Sequence, residues 1–331
     1  MQRNDLHPGR LFGLGSAYWQ PCTLHAGVKL ELFTTFADRS LTVPELADEL
    51  GASERGLELL LNALTAMDLL VKDGSDYRNS PLAETFLDSN KPDYVGHIIM
   101  HHHHLVDSWA RLDEAVMTGQ PLETRSHGKE KERESFQMGM FNLASAIAPA
   151  ISESIDLSER HHLLDLGGGP GTHAVHFCLA HPELKATVFD RDSTRPFAEK
   201  IAAQYGVQDR VEFTAGDFHI DPIPGRYDVT WLSQILHSNS PEECMNLIKK
   251  TAAIMDPGGL MLIHDFFLDD NMAGPLFPAL FSLNMLTNNN GRSYSEQETR
   301  AMMSEAGLTD IKRLPFQGAN DSAILAGVLL K

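Results

Sequence analysis

Hydrophobic and polar positions follow two different patterns along this chain. Over about the first 90 residues, apolar positions recur at helical spacing in "SAYWQPCTLHAGVKLELFTTFAD" and "LTVPELADELGASERGLELLLNALTAMDLL". In the second stretch Thr42 suits an N-cap, Pro44 suits the first turn, and "GAS" separates two helices. The stretch "VKDGSDYRNS" predicts a β-hairpin that turns on Asp73-Gly74. Helix, turn, helix and hairpin in this order predict a winged-helix domain, which we assign to residues 1–95.

From residue 161 the pattern changes to short apolar runs separated by helical stretches. The runs are "HHLLDL", "KATVFD", "VEFTAGD", "YDVTWLS", "GLMLIHDFF", "DIKRLPF" and "AILAGVLL". Continuous apolar strands that alternate with helices are typical of a mostly parallel α/β sheet covered on both faces. We therefore predict an α/β catalytic domain over residues 156–331, preceded by a helical connector over residues 96–155.

The charge of the chain bears on the winged-helix prediction, because many winged helices bind DNA. The formal net charge is −18 at pH 7, which disfavours binding to a phosphate backbone. The segment that would read bases, "SERGLELLLNALTAMDLL", carries one arginine against three acidic residues and is strongly apolar. We therefore expect no nucleic-acid partner and interpret this domain as a packing or dimerisation module.

Cysteine usage and hydropathy indicate the compartment. Cys22, Cys178 and Cys244 are scattered, which argues against a disulfide framework or a zinc knuckle and fits a reducing cytoplasm. No apolar run reaches the roughly 18 residues that cross a bilayer. The first residues, "MQRNDLHPGRLFGLG", lack the apolar core of a signal peptide. We expect a cytoplasmic protein without a membrane partner.

A glycine loop follows the first strand of the α/β domain. The motif "DLGGGPG" places Asp165 at the strand end and then Gly167, Gly169 and Gly171. Such a loop lets a ligand approach the backbone closely at the carboxyl edge of the sheet. A dinucleotide loop reads GxGxxG and binds pyrophosphate, whereas this one reads GxGxG and opens with an acid. A carboxylate would repel a diphosphate but would favour a sulfonium and an amino group.

Two further strand ends carry acidic residues. Asp190 ends "VFD", where it can accept hydrogen bonds from both hydroxyls of a ribose. Asp217 and Phe218 end the third strand in "AGDF", where the carboxylate can accept from an adenine amine and the ring can lie against the base. Three successive strand ends then form a nucleoside site without a phosphate partner. This combination favours S-adenosylmethionine over NAD.

The motifs "LLDLGGGPGTHA", "VFD", "GDF", "LSQILH" and "PGGLMLIHDFFLDD", in this order, resemble class I S-adenosylmethionine-dependent methyltransferases. They are most similar to small-molecule O-methyltransferases with an N-terminal winged-helix dimerisation domain, such as the plant caffeate and isoflavone enzymes and their bacterial relatives. The resemblance implies a Rossmann-like seven-stranded sheet of order 3-2-1-4-5-7-6 with the last strand antiparallel. It also implies S-adenosylhomocysteine as product, a homodimer through the N-terminal domain, and Ser233 among the cofactor-binding residues.

Methyl transfer requires an aligned acceptor and a group that removes its proton. His237 follows the fourth strand and Asp265 ends the fifth, and these strands are neighbours in the implied sheet. A carboxylate on one ring nitrogen fixes the tautomer and leaves the other nitrogen as a base. By resemblance, His237 takes the position of the catalytic base and Asp265 that of an acid beside it. His264 points to the other face of its strand and is expected to take no part.

The chain departs from the family pattern at two places near the base. The family commonly reads H-D-W where this chain reads His237-Ser238-Asn239, and a second flanking acid aligns with Ser293. O-methylation of a small acceptor is the favoured function. These departures leave open an alternative in which the same fold methylates carbon or nitrogen, or performs decarboxylation, hydroxylation or cyclisation.

Three segments are expected to form the acceptor pocket: "ESFQMGMF", "LFPALFSLNMLTNNN" and the helix that carries the histidine run. Their Phe and Met residues suit a flat, aromatic or polyketide-like small molecule. By resemblance and helical spacing, the predicted substrate residues are Met100, His101, His104, Phe136, Met140, Phe281, Asn284 and Asn288.

A run of four histidines, residues 101–104, lies in the helical segment "HIIMHHHHLVDSW". Consecutive helical residues point about 100° apart, so the four rings cannot converge on one ion. His97, His101 and His104 can share a face, which leaves a metal site as an open alternative, although no carboxylate or cysteine completes it. We expect no metal, with His101 and His104 facing the acceptor, while His102 and His103 face solvent or a partner subunit.

Overall fold

A computed structural model describes residues 7–122 and 129–330 of the chain. The described residues divide into two compact units. The first comprises residues 7–105 and 129–142, and the second comprises residues 106–122 and 143–330.

The first unit is mostly helical. Its helices are α1 (Gly9–Ser16), α2 (Trp19–Lys29), α3 (Leu32–Phe36), α4 (Val43–Leu50), α5 (Glu54–Ala66) and α6 (Pro81–Phe86), and it contains most of α7 (Gly96–Trp109) and of α9 (Lys129–Ser145). The predicted cap of α4 is confirmed: the backbone N–H of Thr42 donates to the Glu45 carboxylate at 2.8 Å. Leu57, Leu61 and Leu64 of α5 are buried in the core of this unit, so the apolar character of α5 serves packing.

The hairpin predicted after α5 is present. Three short antiparallel strands, β1 (Leu41–Thr42), β2 (Leu70–Asp73) and β3 (Asp76–Asn79), form a sheet of order β1-β3-β2. Because Asp73 pairs with Asp76, the two turn residues are Gly74 and Ser75, one position later than predicted. Gly74 has φ +58°, a conformation that glycine adopts without steric cost.

The second unit is an α/β domain. Its strands are β4 (His162–Leu166), β5 (Lys185–Asp190), β6 (Val211–Ala215), β7 (Tyr227–Ser233), β8 (Met255–Phe266), β9 (Leu308–Gln317) and β10 (Ser322–Leu329). Its helices are α8 (Leu112–Thr118), α10 (Ala148–Ser154), α11 (Thr172–Ala180), α12 (Arg195–Gln204), α13 (Pro241–Ala253), α14 (Leu276–Asn288) and α15 (Glu296–Glu305).

These strands form one sheet of order β6-β5-β4-β7-β8-β10-β9, in which β10 is antiparallel to both neighbours. Counted along the domain, this is the order 3-2-1-4-5-7-6, and the prediction is confirmed. Along β4, Leu164 and Leu166 join one apolar cluster and Leu163 joins another. Both faces of the sheet are therefore covered, and this coverage explains the continuous apolar runs in the sequence.

Among residues 7–122 and 129–330, no helix combines the length and the apolar character that crossing a membrane would require.

Candidate active site

The glycine loop connects β4 to α11 at the carboxyl edge of the sheet. Gly167, Gly169 and Gly171 all have positive φ, at +63°, +55° and +72°. A Cβ atom at Gly167 would lie 2.4 Å from the Ile235 side chain. The loop therefore needs glycine for its backbone conformation and, at Gly167, for the close approach of its neighbour.

Asp165 lies beneath this loop. Its side chain is buried, and a Cβ atom on Gly168 would lie 2.5 Å from its carboxyl carbon. Oδ2 accepts a hydrogen bond from the backbone N–H of Ala174, in the first turn of α11, at 3.2 Å. Oδ1 has no partner among the described residues, and burial raises the pKa of this carboxyl to about 7. The structure thus places Asp165 where it joins the loop to the helix.

Asp190 and Phe218 lie close to the loop. Strand β6 ends at Ala215, so Asp217 and Phe218 lie two and three residues beyond it and not at its end as predicted. Asp190 ends β5, and its carboxylate accepts from the N–H groups of Gly169 and Arg191 at 2.8 and 2.6 Å. Burial raises the pKa of Asp190. The Phe218 ring lies 3.2 Å from the position that a Cβ atom on Gly167 would occupy. The structure therefore brings together the glycine loop and these two residues, which sequence reasoning assigned to one nucleoside site.

Asp217, next to Phe218, is partly exposed. Its Oδ1 accepts from the backbone N–H of His219 at 2.9 Å, and its Oδ2 lies 3.7 Å from the Arg191 guanidinium. The ion pair is solvent-exposed on the arginine side, so its contribution to stability is small.

His237 and Asp265 form a buried pair. His237 lies in a 3₁₀ turn, Leu236–Ser238, just beyond β7, and Asp265 is the penultimate residue of β8. Nδ1 of His237 is 2.7 Å from Oδ1 of Asp265. The same carboxylate accepts from the backbone N–H groups of His237 and Phe266 at 3.3 and 2.9 Å. Nε2 of His237 makes no hydrogen bond to any residue that the structure describes, so it is available to a ligand.

Aromatic rings surround the His237 imidazole. The Phe266 ring stacks at 6.0 Å between centroids, and the Phe281 ring meets the imidazole edge-on at 4.8 Å. Phe277, one turn before Phe281 on α14, is 4.9 Å from Phe266. We call Phe266, Phe277 and Phe281 the aromatic wall. It presents an apolar surface beside the free imidazole nitrogen.

Three contacts that sequence reasoning missed hold the turn that carries His237. The Tyr294 hydroxyl donates to the Asn239 carbonyl at 2.5 Å, and the Cys244 thiol donates to the Leu236 carbonyl at 3.2 Å. A Cβ atom on Gly291 would lie 2.0 Å from the His237 carbonyl oxygen. In the sequence, only Gly291 in "NNGRSYSEQE" indicates a close backbone approach. It does not show which segment packs against it.

Ser233, at the end of β7, contacts two histidines. Its Oγ is 2.9 Å from Nδ1 of His264 and 3.5 Å from Nε2 of His173. The His264 ring is fully buried and stacks on Trp231 at 5.7 Å between centroids. Burial lowers the pKa of His264 to about 4, so this imidazole is neutral at pH 7.

The predicted acceptor residues divide between the two units. Phe281, Asn284 and Asn288 lie on α14 in the second unit, where Nδ2 of Asn288 donates to the Asn284 backbone carbonyl at 2.7 Å. The other five lie in the first unit and are Met100, His101, His104, Phe136 and Met140. Their assignment to an acceptor pocket stays a prediction.

Within the first unit, the His101 ring meets Phe136 edge-on at 5.3 Å, and burial lowers the pKa of His101 to about 4. Nε2 of His103 lies 3.2 Å from Nζ of Lys29, and its ring centroid lies 5.5 Å from that of His25, so helix α2 covers part of this side chain. His103 is half-buried, and its exposure to solvent or to a partner subunit stays a prediction. Among the described residues, no three His, Cys, Asp or Glu side chains are grouped to hold a metal ion.

The fold and this site together define a class. A doubly covered sheet with a glycine loop, acidic strand ends and a histidine–carboxylate pair at one edge is the arrangement of the S-adenosylmethionine-dependent methyltransferases. Residues 109–309 match the O-methyltransferase domain family, and residues 12–89 match the O-methyltransferase dimerisation domain family. The chain belongs to the O-methyltransferase family, and its methyl donor is S-adenosylmethionine.

Known relatives cover nearly the whole chain. The 3-hydroxy-5-methyl-1-naphthoate 3-O-methyltransferase of Streptomyces sahachiroi is 32% identical over 97% of this chain and 95% of its own. The tetracenomycin polyketide synthesis 8-O-methyl transferase of Streptomyces glaucescens is 35% identical over 96% of each chain. The crystal structure of human N-acetylserotonin methyltransferase with S-adenosylmethionine superposes with a TM-score of 0.87 at 25% identity, covering all of both chains.

The residues at the sheet edge fit this donor. Gly167, Gly168 and Gly169 are partly exposed and carry no side chain that would cover the loop backbone. The Asp190 carboxylate accepts backbone hydrogen bonds from Gly169 and Arg191 and a side-chain hydrogen bond from Thr194. Its two oxygens have about four lone pairs together, so Asp190 retains capacity for a ribose hydroxyl.

Proposed function

We propose that this enzyme transfers a methyl group to a hydroxyl oxygen of a small aromatic, polyketide-like acceptor, with His237 as general base. The observation that carries the proposal is the 2.7 Å contact between His237 Nδ1 and Asp265 Oδ1 in a buried setting, with Nε2 left unengaged. The two Streptomyces relatives, both named as O-methyltransferases of naphthoate or polyketide compounds, support the acceptor class.

The contact between His237 and Asp265 defines the direction of proton transfer. An ionised carboxylate only accepts hydrogen bonds, so the proton of the neutral imidazole resides on Nδ1 and the lone pair on Nε2. Bound S-adenosylmethionine supplies a methyl group activated by the sulfonium sulfur. As the acceptor oxygen forms its bond to the methyl carbon, the carbon–sulfur bond breaks and its electron pair stays on sulfur, so S-adenosylhomocysteine leaves. Nε2 takes the hydroxyl proton. Asp265 then faces an imidazolium and stabilises it, while its two backbone donors keep the carboxylate in place.

On the donor side, we assign the ribose hydroxyls to Asp190 and the adenine to Asp217 and Phe218. The loop of Gly167, Gly169 and Gly171 lies against the donor through its backbone. We assign Asp165 and Ser233 to the methionine end, Asp165 acting from beneath the loop. The Gly169–Asp190 hydrogen bond supports this arrangement, because it joins the loop to the proposed ribose-binding carboxylate.

On the acceptor side, the aromatic wall supports a flat apolar ligand beside His237. We extend the acceptor site to Asn284 and Asn288 of the same helix. For the histidine run, His101→Ala and His104→Ala test the prediction: unchanged turnover and acceptor affinity would remove them from the site.

We also propose a cytoplasmic homodimer that forms through a winged-helix-like dimerisation domain over residues 1–95. The match of residues 12–89 to the dimerisation family supports it. The connector over residues 96–155 and the catalytic domain over residues 156–331 complete the domain assignment.

The test of the proposed function is methyl transfer from labelled S-adenosylmethionine to a panel of phenols, enols and amines of matched ring size. We expect label on hydroxyl oxygen, and a loss of about 10²- to 10⁴-fold in kcat for His237→Ala, the range typical of a general base. His161→Ala, an exposed histidine at the opposite end of β4, is the control. Transfer only to nitrogen or carbon, or full activity of His237→Ala, would contradict the proposal.

A further inference from the structure

The carboxamide of Asn284 on α14 has a defined orientation. Nε1 of Trp109 lies 3.0 Å from Oδ1 of Asn284. An indole nitrogen carries a hydrogen and can only donate, so the amide atom that faces it must be the oxygen. Nδ2 of Asn288 approaches the same oxygen at 3.4 Å. The contact with Trp109, which can only donate, therefore excludes the flipped amide.

This orientation leaves the donor end of the amide free. Nδ2 of Asn284 carries two N–H groups and donates to no residue that the structure describes. The residue is half-buried, so these N–H groups are partly withdrawn from water. A donor in such a setting gains by binding an acceptor atom, and it disfavours a ligand that offers none.

The amide lies along the helix face that flanks the base. Asn284 follows Phe281 by three residues and Phe277 by seven, and such positions share one face of a helix. The Phe281 ring is 4.8 Å from the His237 ring. The free N–H groups are thus about one helical turn along the aromatic wall from the imidazole.

We propose that Asn284 selects the acceptor: its Nδ2 group donates a hydrogen bond to a carbonyl oxygen on the aromatic compound that is methylated. Trp109 is the positioning residue, since it holds Oδ1 and so directs Nδ2. The substrate class is a hydroxyaryl ketone or ester, in which a ring hydroxyl is methylated and a carbonyl elsewhere on the rings is recognised. This inference rests on the proposed function and specifies its acceptor.

The experiment compares acceptors that differ only in the carbonyl. Hydroxy-1-tetralones with the hydroxyl at each position of the aromatic ring are each paired with the tetrahydronaphthol that lacks the ketone. The kcat/KM ratio within the best pair is measured for the wild type, Asn284→Leu and Trp109→Phe. The ketone also changes the acidity of the phenol, but this change is the same for every enzyme. Comparing the ratio between enzymes therefore removes it.

We expect Asn284→Leu to lower the ketone preference by roughly 5- to 20-fold, the loss of one hydrogen bond in a partly desolvated site. Trp109→Phe keeps the ring but lets the amide rotate, so a smaller loss in the same direction is expected. Asn284→Asp replaces both donors with acceptors and should abolish the preference. Asn90→Leu, at an exposed position of the first unit, is the matched control and should keep it.

An unchanged ratio in Asn284→Leu, with methyl transfer intact, would overturn this inference and leave the proposed function standing. If none of these pairs is methylated, the wider acceptor panel decides the proposed function, and calorimetric binding of the same pairs in the presence of S-adenosylhomocysteine decides the role of Asn284. Loss of the ketone preference in binding would then support it, and equal preference would refute it. Thermal melting of each variant confirms that it is folded.

Discussion

The proposed chemistry depends on one side-chain contact, the one between His237 and Asp265. Asp265 accepts three hydrogen bonds, from the backbone N–H groups of His237 and Phe266 and from the His237 ring, and both members of the pair are buried. Buried polar groups with complete hydrogen bonding are rigid, so the imidazole is held in one orientation. The resemblance to the family aligns its second acid with Ser293, which carries no carboxylate. The tautomer of His237 therefore relies on Asp265.

Asp265→Asn preserves shape but can present an amide N–H to Nδ1, which favours the tautomer with its proton on Nε2. We expect kcat to fall by roughly 10²-fold or more, by analogy with serine proteases in which the corresponding change removes the base. Single-turnover rates of methyl transfer measure it, with Asp209→Asn at an exposed position as control. A decrease below about threefold would show that Asp265 does not set the tautomer.

His264 is the residue whose burial should be visible in the pH dependence of stability. Its pKa is lowered from 6.5 to about 4 in the folded protein, chiefly by burial. Between these values the unfolded chain binds the proton and the folded protein does not, so stability falls as the pH falls through this range. The total cost is about 3 kcal/mol once the pH is below both values.

His264→Gln carries no titrating group and should remove this dependence. We expect the free energy of unfolding of the wild type to decrease more than that of the variant between pH 7 and pH 5. Urea titrations at both pH values measure the difference. Parallel pH dependence in the two proteins would mean that His264 is accessible to protons in the folded state.

At the scale of elements, the segment after α14 lies directly against the turn that carries His237. Gly291 approaches the His237 carbonyl so closely that a Cβ atom would overlap it at 2.0 Å. Tyr294, three residues later, donates to the Asn239 carbonyl of the same turn. The segment that contains Gly291 and Tyr294 therefore helps to position the His237 side chain.

Gly291→Ala should displace this turn. We expect a loss of at least 10-fold in kcat together with a lower melting temperature, because backbone atoms, which cannot move aside as a flexible side chain can, surround the added methyl. Gly56→Ala, within α5, is the control: the nearest atom to its added Cβ is 3.9 Å away, and alanine favours helix. Normal turnover in Gly291→Ala would show that the base tolerates movement of this segment.

The prediction of elements succeeded where burial leaves a continuous signal. The runs "KATVFD" and "YDVTWLS" coincide with β5 and β7 because these strands lie inside the sheet and are apolar on both faces. The hairpin turn was misplaced by one residue, since "DGSD" allows two registers and strand pairing selects one. The contacts of His103 with Lys29 and His25 were not predicted, because these two residues are on another helix.

At the scale of the whole molecule, helix α1 has no buried residue. Its apolar side chains Leu11, Phe12 and Leu14 are 65–71% exposed. A helix of eight residues is not stable in water without packing, and this one overlaps the segment matched to the dimerisation family. These observations support the proposed homodimer, with α1 within its interface.

Phe12→Asp places a charge in that apolar surface and should shift the dimer toward monomer. We expect the dissociation constant, measured by analytical ultracentrifugation, to rise by at least 10-fold, since a charge without a partner is costly to bury. Ile220→Asp, an equally apolar and exposed position in the catalytic unit, should leave association unchanged. Equal association of wild type and Phe12→Asp would remove α1 from the interface.

The sequence by itself determined the class of fold and the acidic residues of the nucleoside site. These follow from local patterns: apolar runs, a glycine loop, and acids placed where parallel strands must end together. The order of the strands was implied by the resemblance to a known family. The proximity of His237 and Asp265 could also be inferred, because adjacent parallel strands bring their carboxyl ends to one edge, and the structure shows the contact.

Only the tertiary structure decided how the site is held and oriented. The contact of Trp109 with Asn284 joins residues 175 positions apart, and the contact of Gly291 with His237 joins two loops. Neither lies within one element, so no period in the sequence reports it. Packing of distant elements selects these contacts, and they in turn orient the amide of Asn284 and support the turn of His237.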